Sequence, residues 1–187
     1  MSINSPVTYG LIGINILIFL LESASGGSTH TDVARKFGAF YLPDVRRGQW
    51  YRLFTAMFIH FGLFHLACNM YSLYNLGPAL ERFLGWKYIL LYVGSGLAGN
   101  LATWFLEDKT GKYAISAGAS GAIFGLLGAW LVIALMPQIR SSVSLSNLLY
   151  VIGINVIYGI SNRSVNMTAH IGGFIGGAVI TFIVCLL

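Results

Sequence analysis

Five side chains in an otherwise apolar chain are of types that could do chemistry together: His60, His65, Asn69, Ser120 and His170. Ser120 stands in the GASG string at 118–121, at the head of an apolar run, and His170 stands in AHIGGFIGG at 169–177. A serine hydroxyl activated by an imidazole is the nucleophile–base pair of covalent acyl transfer. That chemistry also needs donors aimed at the oxyanion that develops on the attacked carbonyl. His65 and Asn69 are four residues apart, so a helix presents both from one stripe, as a ring N–H and an amide NH₂. A helix beginning at Ser120 adds unpaired backbone N–H groups beside the serine itself. Two plainer readings stand beside this one. A serine in a membrane helix can bond back to its own backbone, and His65 and Asn69 can be interhelical hydrogen-bonding glue.

Other chemistries fit these residues less well. A triad would set a carboxylate behind the histidine. The acids are Glu22, Asp32, Asp44, Glu81, Glu107 and Asp108; all lie in loops or at helix ends, and none is near His170 in sequence. The pair therefore reads as a Ser–His dyad, with His170 oriented by packing and Phe124, one turn past Ser120, placed to stack on it. Zinc is disfavoured, because HFGLFH spaces its histidines five apart and has no glutamate between them, unlike a zinc-protease helix. No metal and no cofactor is expected. His30 reads as a solvated loop residue. Cys68 and Cys185 fall inside apolar stretches and read as inert packing thiols, not a disulfide.

The elements that must position these groups follow from composition. The chain has 187 residues, 56% hydrophobic and 9% charged, with mean hydropathy +0.74. A soluble domain carries about 25% charged residues, so this chain must use lipid as much of its solvent and reads as an integral membrane protein. Apolar stretches fall at about 7–21, 57–80, 86–106, 119–136, 147–160 and 169–187, giving six helices in one domain, the fifth long enough to span only if it borrows neighbouring residues. Polar breaks fall at 109–113, 137–142 and 161–166. The connection 22–56 mixes Arg35, Lys36, Asp44, Arg46 and Arg47 with Phe37, Phe40, Tyr41, Trp50 and Tyr51, which suits the membrane interface. The first stretch reads as an uncleaved helix, since no Lys or Arg precedes it. The net charge of +5 does not imply nucleic acid, because no basic run exceeds two residues. Nor does charge orient the chain: with a cytoplasmic N-terminus most Lys and Arg fall in outer loops, against the positive-inside tendency.

In a six-helix hairpin arrangement, the second, fourth and sixth helices enter from one side. His60, Ser120 and His170 then begin those helices at similar depth, with His65 and Asn69 about 8 to 14 Å further in at 1.5 Å per residue. Gly121, Gly125 and Gly128 line a face of the fourth helix, and Gly172, Gly173, Gly176 and Gly177 give the sixth overlapping small-xxx-small patterns. Such faces let backbones approach closely, which would bring Ser120 and His170 within bonding range.

From about Trp50 to Gly177 the chain resembles the rhomboid intramembrane serine proteases. The match includes WYR at 50–52, HFGLFHLACN with its His-x4-His-x3-Asn spacing, LERFLG at 80–85, GASG at 118–121 and AHIGGFIGG at 169–177. A GxSG string alone is weak, since soluble hydrolases use similar ones; the ordered set is specific. The resemblance implies an all-α bundle of six transmembrane helices over residues 1–187: a first helix at about 7–21, an interfacial loop at about 22–56 and five further helices over about 57–187. It implies Ser120 as nucleophile, His170 as general base, and His65, Asn69 and the Ser120 N–H as the oxyanion hole. His60, Phe124, Gly118 and Gly121 would support the site, and the loop at 161–168 would cap it. The cavity would open to the extracytoplasmic side of a bacterial cell membrane, with both termini cytoplasmic. The partners implied are transmembrane protein substrates in the lipid bilayer; the oligomeric state is not implied. The family often has tyrosine where this chain has Phe124, so the ring is kept and the hydroxyl lost. The rival readings are a catalytically inactive relative that binds membrane helices and a small transporter using His60, His65 and His170. The second is opposed by the lack of intramembrane carboxylates.

Overall fold

The computed structural model describes residues 5–136, 145–161 and 165–186, the side chains of 158–160 excepted. The expected break at 137–142 and residues 162–164 of the expected cap lie outside the described residues. The elements run α1 (Pro6–Ala24), α2 (Thr31–Phe37), α3 (Leu42–Arg46), α4 (Arg52–Thr55), a 3₁₀ turn (Ala56–Phe58), α5 (Leu63–Leu84), α6 (Lys87–Thr110), α7 (Ser120–Leu135), α8 (Leu145–Ser161) and α9 (Met167–Leu186). The protein is all-α among the described residues, apart from one isolated antiparallel bridge between Phe40 and Ser116. By length and composition α1, α6 and α9 can each cross a membrane; Arg52–Phe58 and Leu63–Leu84 pass together but are bent by 92°, and α7 and α8 are shorter apolar helices. With its exposed apolar side chains, the chain is a multi-pass integral membrane protein.

The bend corrects one expectation. The apolar stretch at 57–80 is not one helix, and His60 does not open it. Gly62 sits at φ +83°, a backbone region L side chains avoid, and the chain turns there before α5 starts. His60 therefore lies in the turn, and its ring centroid is only 5.1 Å from that of His65, rather than a helical step of about 8 Å away.

The centre of the molecule is α7. Residues 121–130 are all buried, as expected of a helix that is apolar all round. It is crossed by α9 through glycines. A Cβ at Gly173 would fall on the Gly121 carbonyl, and one at Gly177 on the Gly125 carbonyl. On another side α9 meets α6, where a Cβ at Gly172 would lie 2.5 Å from the Ala102 Cβ. Such backbone-to-backbone packing fixes helix positions tightly.

At the end of the bundle away from Ser120, Glu81 is buried near the C-terminal end of α5. Its Oε1 accepts the Val7 N–H at 2.8 Å, and its Oε2 accepts the Thr8 N–H at 2.8 Å and the Thr8 hydroxyl at 2.7 Å. An anion on the orphan N–H groups of α1 caps that helix from another element. The connection after α1 is an ordered unit. Asp44 accepts from Arg35 Nε at 2.6 Å and Nη2 at 2.7 Å. Buried Arg52 donates to the Arg35 carbonyl at 2.7 Å, the Ala39 carbonyl at 2.8 Å and Gln49 Oε1 at 2.7 Å. Trp50 and Tyr51 remain exposed, as suits an interfacial segment. Both cysteines are free, but Cys68 is exposed, not packed, because it lies on the outward stripe of α5 with Phe64 and Tyr71.

Candidate active site

The run into α7 is held from two directions. Phe40 and Ser116 exchange backbone hydrogen bonds at 2.9 Å each, and the Gly118 N–H donates to the Ala56 carbonyl at 2.9 Å. Gly118 takes φ +134°, and a Cβ there would sit 2.8 Å from His65 Cε1, 2.9 Å from His65 Nε2 and 3.6 Å from Ser120 Oγ. Glycine is thus required twice, by backbone conformation and by the imidazole that lies against it. This close approach brings His65 to the turn that carries Ser120.

Ser120 is the first residue of α7 and half-buried. Among the described residues, no hydrogen bond engages its hydroxyl, its N–H or the N–H of Gly121. The helix start therefore offers the unpaired donors that the first turn of any helix leaves over. His170 lies in the first turn of α9, buried at 8% exposure. Its ring stacks on Phe124 with centroids 4.1 Å apart and planes 15° from parallel. A Cβ at Gly121 would lie 3.5 Å from the Ala169 carbonyl oxygen, so the first turns of α7 and α9 face one another. Ser120 and His170 share no hydrogen bond in this structure. Catalytic hydrogen bonds are often long without substrate.

His170 Nδ1 is buried without a partner among the described residues. Five of the six acids are engaged elsewhere. Glu81 and Asp44 are bound as above, Glu22 Oε2 accepts the His60 N–H at 3.3 Å, Glu107 Oε1 accepts the Ala114 N–H at 3.1 Å, and Asp108 pairs with Arg46. His60 is wholly buried; its Nε2 accepts the Ala119 N–H at 3.4 Å, and its ring meets His65 edge-on at 61°. It links the turn before α5 to the residue preceding Ser120. Asn69 is buried, and its amide donates to the His65 carbonyl one turn back at 3.0 Å. That bond uses one of its two N–H groups and leaves the other. Among the described residues, no three His, Cys, Asp or Glu side chains form a cluster that could hold a metal ion.

Two residues escaped the sequence reading. Glu22 is a helix-end acid whose partner is a backbone group 38 residues on, and nothing in its neighbours announces that. Asn166 was visible in principle: an Asn directly ahead of an apolar run is a helix N-cap signal, and here its Oδ1 accepts the Ala169 N–H at 3.0 Å.

The chain is similar to several known proteins. The chain is 38% identical over 172 residues to "Rhomboid protease GluP" of Bacillus subtilis (strain 168), which covers 91% of this chain and 33% of that relative. It is 38% identical over 156 residues to "RHOMBOID-like protein 5" and 39% identical over 143 residues to "RHOMBOID-like protein 1", both of Arabidopsis thaliana, covering 81% and 74% of this chain and 50% and 36% of those relatives. The chain thus spans between a third and a half of the length of these relatives. The family described as Rhomboid domain matches residues 47–187, which hold every residue of the candidate site, and the chain belongs to the rhomboid family.

Proposed function

We propose that this chain is an intramembrane serine endopeptidase that cleaves transmembrane segments of other membrane proteins. The observation that carries the reading is the stacking of His170 on Phe124, one turn from Ser120, at the facing starts of two helices in glycine contact. Ser120 Oγ attacks the scissile carbonyl while His170 takes its proton. The oxyanion is met by the free Ser120 N–H, the His65 ring and the second N–H of Asn69. As the intermediate collapses, His170 returns the proton to the leaving amine. Water, deprotonated by the same imidazole, then releases the acyl chain and restores Ser120. His60 and Gly118 hold the turn, Gly121 admits α9, and no cofactor takes part. A substrate helix hides its carbonyls in its own hydrogen bonds, so it must unwind locally, which favours small or helix-breaking residues near the cut. On this reading residues 1–187 form one six-helix core in a bacterial cell membrane, with the site open to the extracytoplasmic side.

The test is cleavage of a model single-pass membrane protein by purified enzyme in detergent. Wild type should cleave with or without EDTA, and Ser120→Ala and His170→Ala should each lose at least about 1,000-fold, the scale of catalytic-group removal. Cleavage that survives Ser120→Ala would place the nucleophile elsewhere. A wild type that binds such substrates and cuts none would establish the inactive relative instead.

A further inference from the structure

We propose that Asn166 is a positioning residue that sets His170 against Ser120, an inference that rests on the dyad assigned above. The side chain of Asn166 is used almost to capacity. Its Nδ2 donates to Thr103 Oγ1 at 3.0 Å and to Ser116 Oγ at 2.9 Å, while its Oδ1 accepts the Ala169 N–H at 3.0 Å. Its own carbonyl accepts the His170 N–H at 3.2 Å. An ordinary N-cap needs only the acceptor. The two donors do something a cap does not require, and their targets explain what.

Asn166 stands four residues before His170, and Ser116 stands four residues before Ser120. One amide therefore ties the lead-in of the base to the lead-in of the nucleophile. Both anchors are themselves fixed. Ser116 is pinned through its backbone N–H and carbonyl to Phe40. Thr103 is buried on α6 and donates to the Gly99 carbonyl at 3.1 Å. Gly99 in turn lies under α9: a Cβ there would be 2.5 Å from the Ala169 carbonyl oxygen. With no carboxylate on His170 among the described residues, its height over α7 depends on how the start of α9 is held. Phe124 stacking sets the tilt of the ring, but a stacked ring can slide. The Asn166 bonds oppose that slide.

The experiment compares Asn166→Ser, Ser116→Ala and wild type. Serine still offers a cap acceptor but is too short to reach Ser116 or Thr103, and Ser116→Ala removes one anchor with Asn166 intact. Two rates are read: substrate turnover, resolved into kcat and KM, and covalent labelling of the enzyme by a small fluorophosphonate, which needs the dyad but no docked helix. Asn166→Ser should lower kcat and the labelling rate together by about 10- to 100-fold, the cost of misplacing a reacting group by up to about 1 Å. KM and melting temperature should stay near wild type, and Ser116→Ala should fall between. Asn166→Ser that labels and turns over as wild type does, or loses activity only as melting temperature falls, would make Asn166 an ordinary cap and overturn the proposal. Ser120→Ala is the control. Labelling that persists in it sinks the dyad and this role together, whereas labelling through Ser120 that ignores Asn166 sinks this role alone.

Discussion

At the scale of the residue, the candidate site is a set of groups whose usefulness depends on what does not fill the space between them. Gly118 is the clearest case. Alanine there must adopt φ +134° and push its Cβ against the His65 ring. The first demand costs on the order of 1–3 kcal/mol for a non-glycine residue. The second displaces a group proposed to meet the oxyanion. Gly118→Ala is therefore expected to cut cleavage by about 100-fold, the cost of losing one oxyanion donor, while the bundle stays folded with its melting temperature lowered by about 2–12 °C, as that strain implies for a chain of this size. Unchanged turnover in a folded Gly118→Ala would show that His65 has no part in the chemistry. The same scale shows what the sequence could tell. The placement of Ser120 and His170 at helix starts, and of Phe124 one turn on against the imidazole, was legible from their spacing in the apolar runs. Asn166 was not singled out, because a polar residue between apolar runs reads first as a loop.

At the scale of the element, the glycine faces convert helix packing into site geometry. A Cβ at Gly177 would fall on the Gly125 carbonyl, so the backbones of α7 and α9 would have to part. Forcing a methyl group into packed structure costs about 1–3 kcal/mol. Gly177→Ala should lower the melting temperature and also reduce cleavage, because Ser120 and His170 ride on the two helices that separate. Gly153→Ala in α8 is the matched control. A Cβ there meets nothing within 4 Å, so the change should be neutral or stabilise by up to about 1 kcal/mol from helix propensity alone. Equal melting temperatures for the two variants would refute the packing argument. Most of the helices were legible from apolar runs, yet the break before α5 was not. FGLF is continuous in hydropathy, and only the positive φ of Gly62 ends the segment. The roles of Glu22 and Glu81 were hidden for a related reason: their partners lie 38 and 73 or 74 residues away, a distance no local pattern crosses.

At the scale of the whole molecule, the segment between α1 and α5 is more than a connection, because it is bonded to the run that leads into Ser120 through the Phe40–Ser116 bridge. Its keystone is Asp44. The hydrogen bonds from Arg35, together with the charges of Arg35, Arg52 and Arg47, hold this carboxyl below the usual aspartate range. An unfolded aspartate takes up its proton near pH 3.9, and the folded one does so at a lower pH. The contribution of Asp44 is therefore complete above about pH 5, where both forms are ionised, declines as the unfolded form takes up its proton, and is lost as pH falls through the folded value. Amide exchange across residues 34–52, corrected for its intrinsic pH dependence, should stay level from about pH 7 to pH 5 and rise below about pH 4. Asp44→Asn should exchange faster than wild type from about pH 7 to pH 5, converge with it at low pH and show no such rise, since the group that titrates is gone and Arg52 is left facing a neutral amide. The consequence should reach the site. Because Phe40 holds Ser116 in place, the variant should also lose turnover at neutral pH, in step with exchange at Phe40 and not with melting of the bundle. Wild-type protection in Asp44→Asn at neutral pH would mean that Arg52 and its two carbonyl partners suffice to fold the segment, and that the carboxylate contributes nothing to the support of Ser120.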